Sequence, residues 1–261
     1  MLEMSSEHQR ASVHDWDVEF LRVTAFPSQT AEFKYDDWWQ KVVGIEPDTH
    51  LVQAKLMETR FQGAFEGGQL TLRLQPGRID WLLGPPPRSE ERTMEELIPS
   101  VGRFDEACPR FKELVDRWLP LSPPLSRIAF GGVVLLPVAD RLTGYKRLVP
   151  YLPSVKVDAE GTRDLQYRIN RRRISQTGMK DLQVNRLSTW SVGTITFKAV
   201  SITGGQPPMV LPGEQVFVCR LELDVNTAAE FSSVFVQEQL PESFNELVHL
   251  ATEIIEKGDI P

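Results

Sequence analysis

Arg163-Asp-Leu-Gln-Tyr-Arg-Ile-Asn-Arg-Arg-Arg-Ile174 is the stretch from which the fold is read. Leu165, Tyr167 and Ile169 alternate with Gln166, Arg168, Asn170 and Arg172. That is the period of a strand with one dry face and one wet, cationic face. It is also the densest positive charge in an otherwise acidic chain. Across the wet face, Arg168, Asn170 and Arg172 stand roughly 7 Å apart by strand rise. Guanidinium groups at that spacing suit phosphates or carboxylates, because each presents a planar bidentate fork. Lys180, Arg186 and Lys198 are expected to extend the patch. The competing reading is a solvated or edge strand whose arginines pair with Glu222 and Asp224 across the sheet.

Downstream of this run, Arg186–Val200 reads as a long strand. Its inward set switches from Trp190 and Val192 to Ile195, Phe197 and Ala199, which predicts a bulge near Gly193. The loop 204–213 is rich in Pro and Gly. Gln215–Val225 follows as a strand, with Phe217, Cys219, Leu221 and Leu223 inward and Arg220, Glu222 and Asp224 outward. A closing helix after Pro241 buries Phe244, Leu247, Val248, Ala251, Ile254 and Ile255 and stops at Gly258. Upstream, Asp140–Leu148 is a short basic helix. Arg127–Leu136 is a strand whose Gly131-Gly132 pair marks a bulge or a close backbone approach.

The first half gives the same order. Asp15–Ala25 reads as a strand with Trp16, Val18 and Phe20 on one side and Asp17 and Glu19 on the other. Tyr35–Val43 is a short helix stopped by Gly44. Leu51–Phe65 reads as one long strand, and Gln69–Gln75 and Arg78–Leu83 complete a meander through turns at Gly67-Gly68 and Pro76-Gly77. Thr93-x-x-Glu96 resembles a capping box. A stronger helix runs from about Asp105, burying Phe111, Leu114, Val115, Trp118 and Leu119, with Pro109 placed in its first turn.

Each half therefore reads strand, short helix, three strands, long helix. The expected fold class is α+β, with two similar β-α-β-β-β-α units whose antiparallel sheet packs against two long helices. The halves are 1–119, with 1–10 disordered, and 126–261, joined by a Pro-rich linker at 120–125; together they form two domains or one pseudo-symmetric domain. The shared helix pattern Phe111-Lys-Glu-Leu-Val115 and Phe244-Asn-Glu-Leu-Val248 agrees with an internal duplication. The element order resembles the TATA-binding-protein-like arrangement, a curved sheet with helices on its convex side. A second resemblance rests on Leu165-Gln-Tyr-Arg-Ile-Asn-Arg171, the late Leu223-Asp-Val-Asn226 and the closing amphipathic helix. These are similar to a sporadically distributed, uncharacterised prokaryotic family of about this length. Its members favour Arg-Tyr-Ile-Asn where this chain has Tyr167-Arg168-Ile169-Asn170. The resemblance implies a bacterial or archaeal chain and no particular chemistry.

Composition narrows the function classes. At 261 residues the chain can bury a large core, and 41% hydrophobic with 25% charged residues is ordinary for a globular protein. A formal charge of −7 disfavours a general nucleic-acid coat yet leaves room for a local basic patch. Cys108 and Cys219 form no CxxC and no ligand cluster, as in a reducing cytoplasm. No stretch of eighteen apolar residues and no secretory h-region is present, so no membrane association is expected.

Signatures of catalysis are missing. His8, His14, His50 and His249 are scattered without metal-ligand spacing, and no nucleophile elbow, phosphate loop or dinucleotide fingerprint occurs. No cofactor and no metal are expected. Asp15, Asp17, Glu222 and Asp224 are the carboxylates from which a third reading, an enzyme with a metal site, would be assembled. Trp38 and Trp39 are adjacent on a short helix and cannot both face one way; either one is buried and the other exposed as a partner-binding anchor, or both are buried between helix and linker. The leading expectation is a non-catalytic binding or adaptor protein that meets a macromolecular partner through its sheet, in a prokaryotic defence or stress module. The alternative is a nucleic-acid-binding protein using the strand around Arg168–Arg173.

Overall fold

The computed structural model describes residues 11–28, 35, 37–87, 98–196, 200–201, 209–210, 215–231 and 233–261. The protein is an α+β fold built on one large antiparallel sheet. In chain order the elements are β1 (Asp17–Pro27), α1 (Trp38–Val43), β2 (Thr49–Gln53), β3 (Glu58–Phe65), β4 (Gly68–Gln75), β5 (Arg78–Gly84) and α2 (Phe104–Trp118). There follow β6 (Leu125–Val138), α3 (Arg141–Leu148), β7 (Gln166–Asn170), β8 (Arg173–Ile174), β9 (Gln183–Thr196), β10 (Val200–Ser201), β11 (Met209–Val210), β12 (Gln215–Thr227) and α4 (Leu240–Lys257). The strand order is β2-β3-β4-β5-β1-β6-β12-β9-β7, with β8 beside β9 and a separate β10-β11 pair. Two strands distant in sequence, β1 and β6, therefore meet in the middle of the sheet.

One face of the sheet is dry. Register places Val23 beside Trp81 and Phe130, and Phe130 beside Val225, which continues to Arg186 on β9. The helices cover this face: α2 packs on β1, with α1 on α2, while α3 and α4 pack on β6, β9 and β12. The apolar stripe of α2 supplies Phe111, Leu114, Val115 and Trp118, and that of α4 supplies Phe244, Leu247, Ala251 and Ile255. These side chains join one continuous core with the inward strand residues. Burying each large aliphatic or aromatic side chain contributes roughly 1.5–3 kcal/mol, so this core is the main stabilising element.

Glycines let backbones close up on both sides of β6. A Cβ on Gly132 would lie 2.5 Å from the Phe20 carbonyl oxygen, and one on Gly131 would lie 2.7 Å from that of Leu223. The pair serves close approach. The bulge lies instead in β1, where register jumps between Val18 and Phe20 as they pair with Val134 and Val133.

That bulge corrects one expected strand face. Val18 is fully buried on the helix side, but Phe20 crosses to the other face and packs with Val133, Leu135 and Val218. Other expectations also change. Leu51–Phe65 is a hairpin, not one strand: a 3-10 turn at Ala54–Leu56 and Met57 at φ 47° reverse the chain between β2 and β3. Pro109 sits in the second turn of α2, which begins at Phe104. No bulge interrupts β9 at Gly193, because its register with β12 runs unbroken from Thr196 to Val184. Ile195 simply faces the opposite side from Trp190 and Val192 and joins the small cluster around Val218. The capping-box helix near Thr93, Phe197, Ala199, the first ten residues and all of the loop 204–213 except β11 lie outside the described residues.

Candidate open-face site

The strand Gln166–Asn170 has the expected alternation, with Gln166, Arg168 and Asn170 exposed and Tyr167 and Ile169 half-buried. The arginine run that follows divides between the two sides. Arg171 and Arg173 turn toward the helices. Arg171 donates from Nε to Asp259 Oδ1 at 2.7 Å and from Nη2 to Oδ2 at 3.0 Å, and it also reaches Ser154 Oγ. Tyr167 donates its hydroxyl to Asp259 Oδ2 at 2.8 Å. Arg173 and Arg186 share Glu253 Oε2 at 2.7 and 3.0 Å, and both donate to carbonyls beyond α4, Pro261 and Ile260.

Arg186 is consequently corrected: at 1% exposure on the helix side it is an internal clamp, not part of a surface patch. Buried charge survives only where it is paired. The hydrogen bond from Arg171, opposed by burial and reinforced by Tyr167, holds the Asp259 carboxyl below the usual carboxylate range. Burial pushes the Glu253 carboxyl up, but Lys257, Arg173 and Arg186 together hold it low.

On the open side, Arg172 donates to Asn185 Oδ1 at 2.8 Å and to Glu230 at 2.8 Å. An amide ladder crosses the strands from there. Asn170 donates to Asn185, Asn185 to Asn226, and Asn226 to Asp224, each at 2.9–3.0 Å. Arg127 also reaches Asn226 and lies 5.0 Å over the Phe26 ring. The expected pairing of these arginines with Glu222 and Asp224 is not the observed one: Glu222 is held by Arg220, which also reaches Glu19 at 3.5 Å. Lys180 is exposed in the turn before β9, and Lys198 lies outside the described residues.

The open face carries further charge over β3, β4 and β5. Asp80 is buried to 2% exposure and accepts from Thr24 at 2.5 Å, from Arg73 at 2.8 Å and from Arg78 at 2.8 and 2.9 Å. Burial raises its carboxyl, but these hydrogen bonds outweigh that and leave it lowered. Glu58 binds Arg60 and Gln75 in the same way. A concavity of about 580 Å³ opens here, lined by Arg22, Arg60, Gln69, Arg73 and Leu82. A second, of about 260 Å³, spans the sheet centre between Arg22 and Arg168, with Phe20, Thr189, Glu222 and Asp224 around it.

Arg22 borders both concavities, and sequence reasoning missed it. Among the described residues, the side chains of Arg22 and Arg168 make no hydrogen bond or ion pair, whereas those of Arg60, Arg73, Arg78, Arg127, Arg172 and Arg220 on the same face are all engaged. The signal lay in Phe20-Leu-Arg22, which alternates correctly only once the bulge at Glu19 is known.

The remaining candidates scatter. Trp38 and Trp39 are both buried, at 3% and 2% exposure, so neither is an exposed anchor. Trp38 packs edge-on against Trp118, and Trp39 stacks on Trp81 at 6.1 Å, because α1 is wedged between α2 and the sheet. Asp15 caps its own turn through Ser12, and Asp17 forms an isolated bridge with Arg103, where burial raises its carboxyl against that arginine. Only Glu222 and Asp224 of the four expected carboxylates reach the central cleft. Among the described residues, no group of three His, Cys, Asp or Glu side chains could hold a metal. Nor is any described helix long and apolar enough to cross a membrane. No family model, no curated protein and no solved structure matches the chain.

Proposed function

We propose that this chain is a non-catalytic binding or adaptor protein whose working surface is the open face of its sheet, centred on the cleft between Arg22 and Arg168. The observation that carries it is the pair of unengaged guanidiniums on a face whose other arginines, among the described residues, are held by internal partners. An arginine left without a partner beside a concavity is available to a ligand's carboxylate or phosphate. The cleft also presents Glu222 and Asp224, so it suits a protein surface bearing both signs of charge better than a uniformly anionic strand.

The reading extends to architecture and setting. The strand order supports two β-α-β-β-β-α units, 1–119 and 126–261, joined by the linker at 120–125 and meeting where β1 pairs with β6 in one pseudo-symmetric sheet. In that reading β6 takes the place of β1, β12 that of β5, β9 that of β4 and β7 that of β3, as in a TATA-binding-protein-like arrangement. A cytoplasmic protein of the prokaryotic family named above, serving a defence or stress module, fits the two buried free thiols.

Affinity capture tests the reading. The immobilised chain should retain a partner from a native extract, and Arg22→Ala/Arg168→Ala should lose it at unchanged melting temperature. Equal retention would sink it. A second reading, nucleic-acid binding, is favoured by the half-exposed Phe20 and Phe26 beside Arg22 and Arg127. It predicts anisotropy titrations with DNA or RNA whose affinity falls steeply with salt and whose salt slope shrinks in Arg168→Ala/Arg172→Ala. Salt-independent affinity would exclude it.

A further inference from the structure

We infer that two copies of this chain join edge to edge through β2, antiparallel about a two-fold axis normal to the sheet. Among the described residues, β2 is the outermost strand of its end of the sheet and pairs only with β3. No described residue bonds its other edge, which therefore offers backbone donors and acceptors, and all residues from Asp48 to Met57 are exposed.

Edge strands of proteins that stay apart carry charge, proline or bulges that block pairing. β2 carries none of these: Thr49-His-Leu-Val-Gln53 has no acidic or basic residue apart from the histidine, and its register with β3 is regular. Around it lies an apolar surface made by Ile45, Leu51, Val52, Leu56 and Met57, exposed by 43% to 69%. The opposite end of the sheet is different, since β7 presents Gln166, Arg168 and Asn170. A head-to-tail union of the two ends is therefore poorly matched, and a union of like ends is well matched.

Self-pairing fits the sequence on both sides of Leu51. Centred there, it sets Leu51 opposite its own copy, Thr49 opposite Gln53, and His50 opposite Val52. Directly opposed residues share a face, so each Val52 lies beside the other copy's His50. His50 stacks on Phe61 at 4.3 Å and borders a cavity of about 370 Å³ that Trp39, Pro47 and Phe61 also line. The flanks complement as well. Glu46 and Asp48 of one copy come beside Lys55 of the other, and these three residues make no ion pair among the described residues. The axis is normal to the sheet, so both open faces look the same way and form one bivalent surface.

Sedimentation velocity on the full chain, over a concentration series from about 0.5 to 100 µM, tests this; isologous interfaces of such modest extent dissociate on dilution. The expected result is a monomer–dimer equilibrium shifted at least tenfold toward monomer by Val52→Lys, an exposed site where folding is unaffected. Lys55→Glu should weaken the dimer, and Glu46→Lys/Lys55→Glu should restore it. A monomer at every concentration overturns the inference, as does a dimer indifferent to Val52→Lys.

Discussion

Arg171 on the strand side and Asp259 beyond helix α4 hold each other through two parallel hydrogen bonds, 2.7 and 3.0 Å long, with Tyr167 as a third contact. This fork ties the edge of the sheet to the segment that follows α4, and Arg173 and Arg186 repeat the tie through Glu253. The densest positive charge in the sequence is thus spent partly on internal fastening. Asp259→Ala should lower stability by about 1–3 kcal/mol, because the partly buried donors Arg171 and Tyr167 lose their shared acceptor. Chemical denaturation of the variant measures it, and binding by the open face should be unaltered.

The same carboxylates set the acid limb of stability. Asp259, Glu253 and Asp80 have folded pKa values below their ordinary ones. A depressed carboxyl contributes stability that is complete above the unfolded pKa, about 4, and that fades as pH falls through the folded value. Asp17, raised by burial against Arg103, works in the opposite direction. Thermal melts should therefore fall as pH drops below about 5, and Asp259→Asn should flatten that limb. A variant with the same acid slope as the parent would contradict the assignment.

Gly258 ends α4 at φ 78°, and a Cβ there would lie 2.2 Å from the Tyr151 carbonyl oxygen. Gly258→Ala should cost about 1–3 kcal/mol through backbone strain and displacement of Asp259. Far-UV circular dichroism during denaturation checks it.

Trp39→Ala should cost about 3–5 kcal/mol, since it removes a stacked indole from the core. Once folded at low temperature, the variant should still capture the partner. Loss of capture without loss of stability would restore the tryptophan as an anchor.

Burial pushes the thiols of Cys108 and Cys219 each up to about 12. Neither should react with a thiol-specific disulfide reagent in the native state, and both should react in denaturant. Rapid native labelling of either would contradict the packing.

Much of the fold was legible because period-2 alternation and helix stripes survive in single stretches. β4, β5, β12 and both long helices follow their apolar spacing closely. Features that failed to show were made by contacts between stretches. The β2–β3 reversal uses Met57 in a left-handed conformation that no Gly or Pro announces. The bulge at Glu19 is set by pairing with β6, and it alone turns Phe20 and Arg22 to the open face. Arg186 looked like a surface cation because the carboxylate that neutralises it, Glu253, is 67 residues away. The alternation of the basic strand placed Arg168 on the open face, as observed, yet Arg22 across the cleft from it was hidden by the bulge in β1.

The central claim is that the partner meets the open face of the sheet. Site-specific photocrosslinking tests it most directly, with a benzophenone side chain placed at Glu222 in the cleft or at exposed Glu256 on the helical side. The account predicts partner crosslinks from position 222 that vanish with Arg22→Ala/Arg168→Ala, and none from position 256. Crosslinks from position 256 alone would contradict it.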